Sequence, residues 1–407
     1  MLKSTNKNVR LLVLSQACFL ASSMTLVSFA GLAGKSMADD PSYATLAMSL
    51  AVLATALSTA PMSMLMQKKS RRFGFRLGSL FGVMGGVLGA ASLYIESFWL
   101  LCVAGAFMGP FQASAQYYRF AAAESVPAAE APRAISMVLV GGLLAAVITP
   151  SITTWLNLQF SETIYMGAFV FIAGAAAMVL VPLAFFAPLD KPLSSDDATS
   201  KEKDARTLAE VARTPKFIVA VVNASLGYAM MAFVMTATPL AIQDHGFSTD
   251  IASRVIQGHV IAMFLPSLFT GSLIGRFGIF PILFCGQLLF ATAFLVALAG
   301  NEVWHFSVAL LALGVGWNFC FVGGSSLLTE AHRDSEKGKV QGLNEFLVFG
   351  MSAVASFAAG VILSRYGWGF VNQAAFVMLA FAAVVTSVLG GMKRAHRKKY
   401  ERKTGEA

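Results

Sequence analysis

The chain has 407 residues, of which 57% are hydrophobic and 13% are charged, and its mean hydropathy is +0.68. A soluble domain carries about 25% charged residues, so the composition excludes an ordinary soluble protein. The formal net charge of +9 does not indicate nucleic-acid binding, because the basic residues gather in a few loops and in the tail.

Apolar stretches long enough to cross a bilayer as helices recur along the whole chain, and a span needs about 20 such residues. They lie at 11–34, 43–66, 77–95, 98–118, 134–156, 164–187, 217–242, 251–274, 279–299, 304–328, 341–363 and 368–391. The first is too long for a signal-peptide core, so we expect it to be retained. The pattern predicts an all-α polytopic membrane protein with twelve transmembrane helices.

Basic residues divide unevenly between the two sides of these spans. Only Lys35, Arg254 and Arg365 fall in loops of one parity, and the remaining Lys and Arg residues fall in loops of the other. Basic loops stay in the cytoplasm. We therefore expect both termini to be cytoplasmic.

Residues 188–215 form a long polar stretch between spans, too polar to fold alone. It separates an N-terminal half (1–187) from a C-terminal half (216–407) that ends in a basic cytoplasmic tail. Arg-Phe-Gly occurs at 72–74 and again at 276–278, between corresponding helices of the halves. Both copies resemble the G-x-x-x-D-R-x-G-R-R loop of the major facilitator superfamily, with Arg71 and Gly275 at the acidic position. The resemblance implies that family's fold, two six-helix halves with the substrate near the membrane midplane.

Polar side chains deep within a membrane are costly and mark candidate sites. No span carries a central Asp or Glu, and Glu124 and Glu345 are predicted at cytoplasmic helix ends, so no carboxylate proton relay is expected. The four cysteines lie within helices and form no C-x-x-C pair, which argues against a disulfide framework or a zinc site. The deep polar positions are Tyr117, Tyr118, Arg119, Asn223, His259, Gln287, Trp317 and Asn318.

Two pairs of soft side chains have helical spacing, Met231 with Met235 and His259 with Met263. Residues four apart share one face of a helix. Counting from the outer helix ends at 1.5 Å per residue places the two pairs at matching depths. Thioethers and an imidazole suit Cu(I). The alternatives are that the methionines only pack and that the histidine only bonds a neighbouring helix.

The stretch from Tyr228 to Ile242, followed by the stretch from His259 to Gly271, resembles the CcoA-type copper importers of the major facilitator superfamily. That family carries M-x-x-x-M and H-x-x-x-M motifs, which Met231, Met235, His259 and Met263 match here. The resemblance implies copper import for cytochrome c oxidase assembly, with copper as the cargo and a cytoplasmic copper chaperone as a partner. It implies no cofactor, no enzymatic activity and no nucleic-acid partner.

Two other functions stay open. Riboflavin importers of the wider group lack the metal motifs, and in such a carrier, or in a drug exporter, aromatic residues such as Trp317 and Tyr228 would line the site. A membrane copper sensor or assembly partner that transports nothing is the third possibility, which the 6+6 layout disfavours.

Overall fold

The computed structural model describes residues 6–39, 43, 46–160, 163, 165–187, 189 and 206–404. Within these ranges the regular structure is helical, without strands. Eleven helices are long and apolar enough to cross a membrane, and the last of them, Lys337–Leu389, is broken at Gly367 and accounts for two spans. The predicted all-α fold with twelve spans is confirmed. Most of the predicted linker, 188 and 190–205, lies outside the described residues.

The chain forms two compact units, Met1–Ala205 with Lys337–Phe349 (unit 1) and Arg206–Glu336 with Gly350–Ala407 (unit 2). The helices of unit 1 are α1 (Lys7–Met37), α2 (Leu46–Lys68), α3 (Arg71–Tyr94), α4 (Phe98–Ala115), α5 (Tyr118–Glu124), α6 (Ala131–Gln159) and α7 (Met166–Phe185). Those of unit 2 are α8 (Leu208–Ala212), α9 (Pro215–Asp244), α10 (Thr249–Phe264), α11 (Thr270–Phe277), α12 (Ile279–Ala299) and α13 (Val303–Thr329). The last helix, α14 (Lys337–Thr404), begins in unit 1 and continues in unit 2.

The two Arg-Phe-Gly copies adopt different local structures. In the first copy, Ser70 caps α3 by accepting a hydrogen bond from the backbone N–H of Phe73, so Gly74 is already helical. In the second copy, Gly278 has φ +87° and separates α11 from α12. That left-handed conformation favours glycine. The repeat therefore marks equivalent positions in the sequence and two different ways of starting the next helix.

Helix α3 packs against its neighbours through a row of glycines. A Cβ atom at Gly86 would collide with backbone atoms of Ala173 in α7. Backbone cannot move aside as the end of a flexible side chain can, so the close approach of α3 and α7 depends on the missing side chain. Gly174, the next residue along α7, has open space around its own Cβ position.

We expect Gly86→Ala to destabilise unit 1 by about 1–3 kcal/mol, the usual cost of overpacking. Gly174→Ala is the matched control and should be neutral or stabilise by up to about 1 kcal/mol, because glycine disfavours a helix interior. Thermal unfolding midpoints of the detergent-solubilised protein would compare the two. Equal midpoints would contradict the close α3–α7 packing.

Charged side chains of unit 1 gather around Arg71, which stands where the family's loop has an acidic residue. Its guanidinium donates to Glu124, with Nη2 to Oε1 at 2.6 Å, and to the Gln341 side chain at 2.6 Å. Glu345, predicted at a cytoplasmic helix end, lies about two turns from the start of α14 and is fully buried beside Arg119. Its position towards the start of the helix was expected, and its complete burial was not.

Two groups of polar contacts connect parts of unit 2, and both lie away from Met231, Met235, His259 and Met263. Hydrogen bonds from Arg206 lower the pKa of Glu336 to about 2, against the desolvation that raises it. Deeper in the unit, the Gln287 amide donates to Asn223 and to Thr386, linking α9, α12 and α14. Such interhelical bonds hold membrane helices together. Asn223 and Gln287, named above as deep polar positions, therefore have structural partners.

Candidate functional site

The predicted span 251–274 is interrupted in the structure. Helix α10 ends at Phe264, a 3-10 turn covers Leu265–Leu268, and α11 starts at Thr270. Pro266 lies at the start of this turn, and proline cannot donate the hydrogen bond that a continuing helix needs. The sequence contains the signal for the break, although its hydrophobicity alone predicts a continuous helix.

Asn318 of α13 supplies hydrogen bonds at this break. Its Nδ2 donates to the Met263 carbonyl at 2.7 Å and lies 2.6 Å from the Ser267 hydroxyl, while its Oδ1 accepts from Thr270 at 2.7 Å. A backbone carbonyl left bare in hydrocarbon costs several kcal/mol. The side chain of Asn318 therefore makes the break tolerable and fixes the backbone of Met263.

His259 is fully buried, and its imidazole is turned towards α13. Nδ1 lies 2.8 Å from the Leu310 carbonyl, while Nε2 is buried without a hydrogen-bond partner among the described residues. A carbonyl can only accept, so Nδ1 carries the proton and Nε2 carries the lone pair. Metal-binding histidines typically have this arrangement, with the second nitrogen held by a carbonyl.

The methionine pair lies on α9, which also packs along α13. Tyr228 of α9 contacts Trp317 of α13, with ring centroids 5.6 Å apart. The two helices are antiparallel, so one turn beyond Tyr228 places Met231 level with Gly314, and a second turn places Met235 level with Leu310. A Cβ at Gly314 would lie 3.0 Å from the backbone nitrogen of Met263. Both pairs thus adjoin the same stretch of α13.

The four residues lie beside one stretch of α13, but in the described part of the chain no hydrogen bond joins one pair to the other. His259 and Met263 contact α13, and no hydrogen bond or ring contact links His259 to α9 within the described ranges. Met231 and Met263 are buried, and Met235 is half-buried. The described part of the chain also contains no cluster of three or more His, Cys, Asp or Glu side chains that could hold a metal. A metal here would depend on thioethers and one imidazole, and that ligand set stays a prediction.

An aromatic cluster lies beside the soft pairs, with Tyr228 one turn before Met231 on α9 and Phe264 directly after Met263 on α10. Trp317 stacks on Phe321 with centroids 4.8 Å apart and meets Tyr228 and Phe264 edge to face. The indole Nε1 of Trp317 is buried without a hydrogen-bond partner in the described residues. Sequence reasoning named Trp317 and Tyr228 but missed Phe264 and Phe321, although Trp317 and Phe321 have the i, i+4 spacing that indicates one helix face.

We expect Asn318→Ala to destabilise the protein by about 1–3 kcal/mol, because it removes the side-chain donor to the Met263 carbonyl and an acceptor of the Thr270 hydroxyl. Thr292→Ala is the control, since Thr292 is exposed and bonds only its own helix. Thermal unfolding in detergent would measure both. A midpoint for Asn318→Ala as high as that of the control would contradict a role at the helix break.

Sequence and structure comparisons agree on the type of protein. The family model described as Major Facilitator Superfamily matches residues 12–268 and 255–406. The riboflavin transporter RfnT of Brucella anthropi is 38% identical over 381 residues, covering 94% of this chain and 95% of that protein. The uncharacterized MFS-type transporter YddS of Bacillus subtilis is 28% identical over 84% of this chain and 80% of its own length.

Solved structures show the same fold at low sequence identity. The human organic anion transporter MFSD10 superposes with a TM-score of 0.76 at 14% identity, covering 93% of this chain and 99% of that one. A bacterial homologue of the iron transporter ferroportin, in an outward-facing state, gives 0.73 at 13% identity over 94% and 99%. The chain belongs to the major facilitator superfamily and is a secondary transporter, not an enzyme.

Proposed function

We propose that this transporter carries riboflavin, or a closely related planar and uncharged metabolite, into the bacterial cell. The observation that carries the proposal is the 38% identity to a riboflavin transporter over nearly the full length of both chains. Copper import, the main expectation from the motifs, has weaker support from the relatives.

The aromatic cluster suits such a cargo. Riboflavin has a flat isoalloxazine ring system that can stack on aromatic side chains, and Trp317 and Tyr228 offer aromatic surfaces beside an indole N–H. The apolar interiors of α9 and α13 carry no Asp, Glu, Lys or Arg between Lys216 and Asp244 or from Val303 to Thr329. A site without a fixed charge favours a neutral solute over an organic ion.

Copper is the second candidate cargo, and the geometry of His259 favours it. The imidazole keeps an unshared lone pair on Nε2 because Nδ1 is held by Leu310. Uncharged thioethers at the same depth would bind Cu(I) more weakly than a thiolate would, and so reversibly. Supply of copper to cytochrome c oxidase assembly, and transfer to a cytoplasmic chaperone, would follow only if copper is the cargo.

Location and orientation belong to the same proposal. The concentration of Lys and Arg in loops of one parity supports an inner-membrane protein with both termini in the cytoplasm. A reporter fused to the C-terminus and active only in the cytoplasm would test this orientation.

One set of uptake measurements separates the two cargoes. Cells unable to make riboflavin would express the wild type, Trp317→Ala or His259→Asn, and accumulation of labelled riboflavin and of copper would be measured. If riboflavin is the cargo, Trp317→Ala should lower its uptake roughly two- to twelvefold, the effect of losing an aromatic contact worth about 0.5–1.5 kcal/mol. His259→Asn should leave riboflavin uptake largely intact, because the Asn amide can still donate to the Leu310 carbonyl.

If copper is the cargo, the wild type should accumulate copper and His259→Asn should not. His245→Asn is the matched control, since His245 is exposed and packs on Phe306 away from the aromatic cluster. Trp317→Phe keeps an aromatic ring at position 317 and takes the place of Trp317→Ala if the alanine variant does not fold. Absence of riboflavin uptake by the wild type would refute the first candidate.

A further inference from the structure

A groove on the surface of unit 1 has no part in either proposed cargo site. It has a volume of about 440 Å³ and opens between α2 and α3, with α4 beneath it. Its lining includes, in order along these three helices, Leu57, Pro61, Leu65, Phe81 and Ala106. Among the described residues that line it, only Ser58 has a polar side chain. In a membrane-spanning chain, such an exposed apolar groove faces hydrocarbon.

The packing of α4 explains why this groove exists. Helix α4 packs closely against both α2 and α3, whereas α2 and α3 have few contacts with each other. A Cβ atom at Gly109 of α4 would lie 2.5 Å from the carbonyl carbon of Ala54 in α2. A Cβ atom at Gly85 of α3 would lie 3.1 Å from the Ala104 carbonyl oxygen in α4. Glycines thus bring both neighbours onto α4, and the space between those neighbours stays open.

Proline interrupts the hydrogen bonding of both α2 and α4 at this groove. Pro61 cannot donate to the Leu57 carbonyl, and Pro110 cannot donate to the Ala106 carbonyl, because proline has no backbone N–H. All four residues line the groove. Each of the two helices is therefore weakened where it borders the groove, and a molecule packed there would support both.

The walls of the groove determine what can fill it. An empty groove would deprive its lining of dispersion contacts. Water is a poor filler, because an ordered water needs two or more polar partners and the lining carries one polar side chain. A flexible hydrocarbon chain makes the missing contacts and needs no polar partner. The acyl chain of a lipid is therefore the occupant that suits these walls.

Two lysines at one end of the groove favour a lipid of negative charge. Lys68 is the last residue of α2 and Lys69 follows it, so both lie about one helical turn beyond Leu65. Both are exposed and have no acidic partner among the described residues. Basic residues next to a membrane helix attract anionic lipid head groups.

The other charges of this region do not compete for the lipid. Arg72 and Arg76 donate to backbone carbonyls at the end of α7, and Arg71 is paired with Glu124. The sequence contains no Asp or Glu from residue 46 to residue 94. An anionic head group at Lys68 and Lys69 therefore meets two available cations and no carboxylate of α2 or α3.

We propose that the groove binds an anionic phospholipid, with one acyl chain between α2 and α3 and the phosphate at Lys68 and Lys69. The chain packs on Ala106 and along the two prolines, and so adds apolar contacts where both helices lack a hydrogen bond. Because the lipid binds the folded protein, it stabilises unit 1. The proposal does not depend on the identity of the cargo.

Native mass spectrometry of the purified full-length protein would test the head group. Phosphatidylglycerol and phosphatidylethanolamine with identical acyl chains would be titrated separately, and the wild type should bind one phosphatidylglycerol roughly tenfold more tightly or better. Lys68→Gln/Lys69→Gln should weaken that binding roughly thirtyfold, the effect of two basic residues at the membrane surface. Arg133→Gln/Lys339→Gln, the matched control, removes two exposed charges of unit 1 away from the groove and should leave the affinity unchanged.

A variant that fills the groove would test the acyl chain. Ala106→Phe places a ring on the floor of the groove and should weaken phosphatidylglycerol binding roughly tenfold, about the effect of displacing two methylene groups. Val147→Phe, on the exposed surface of α6, is the matched control and should bind as the wild type does. Should Ala106→Phe fail to fold, Ser58→Phe takes its place.

Three results would overturn the proposal. The first is equal affinity of the wild type for the two lipids. The second is undiminished phosphatidylglycerol binding in either folded variant, the one without the lysines or the one with the filled groove. The third is a dimer of the wild type that the groove-filling variant does not form, which would show that a second copy of the chain covers the groove.

Discussion

The whole structure depends on one requirement, that every backbone N–H and C=O inside hydrocarbon has a partner within the protein. Continuous helices meet this requirement by themselves, which is why nearly all described residues are helical. A break inside a span therefore needs side chains to complete it. At Leu265–Leu268 the amide of Asn318 serves this purpose, together with the hydroxyls of Ser267 and Thr270. Asn318 is buried for a structural reason, and that same reason fixes the backbone of Met263 beside it.

Much of the fold could be predicted from hydrophobicity alone. All twelve apolar stretches correspond to helical segments, because the number of residues needed to cross a bilayer is set by its thickness. The break after Phe264 was missed because the residues around it are as apolar as the rest of the span. Its signal is local, a proline followed by polar side chains that bond to Asn318 of α13. A partner helix is invisible in the sequence of a single span.

The sequence names candidate site residues but does not give the direction of their side chains. Spacing and counting identified Met231, Met235, His259 and Met263, and their depth follows from helix geometry. The direction of each side chain depends on the rotation of its helix, and this is set by packing. The imidazole of His259 is turned to α13 because the Leu310 carbonyl accepts its N–H. Glu345 shows the same limitation, since it is fully buried beside Arg119 of α5 although it lies near the start of its own helix.

The hydrogen bond between His259 and Leu310 also determines what the imidazole can bind. With Nδ1 occupied, the neutral ring offers only an acceptor at Nε2 and cannot present a donor there without a second proton. A metal ion and a solute N–H or O–H group both satisfy that lone pair, whereas a solute that presents only carbonyl oxygens is repelled by it. One backbone carbonyl of α13 thus determines which nitrogen of His259 can act as a ligand, and under the copper proposal that nitrogen is Nε2.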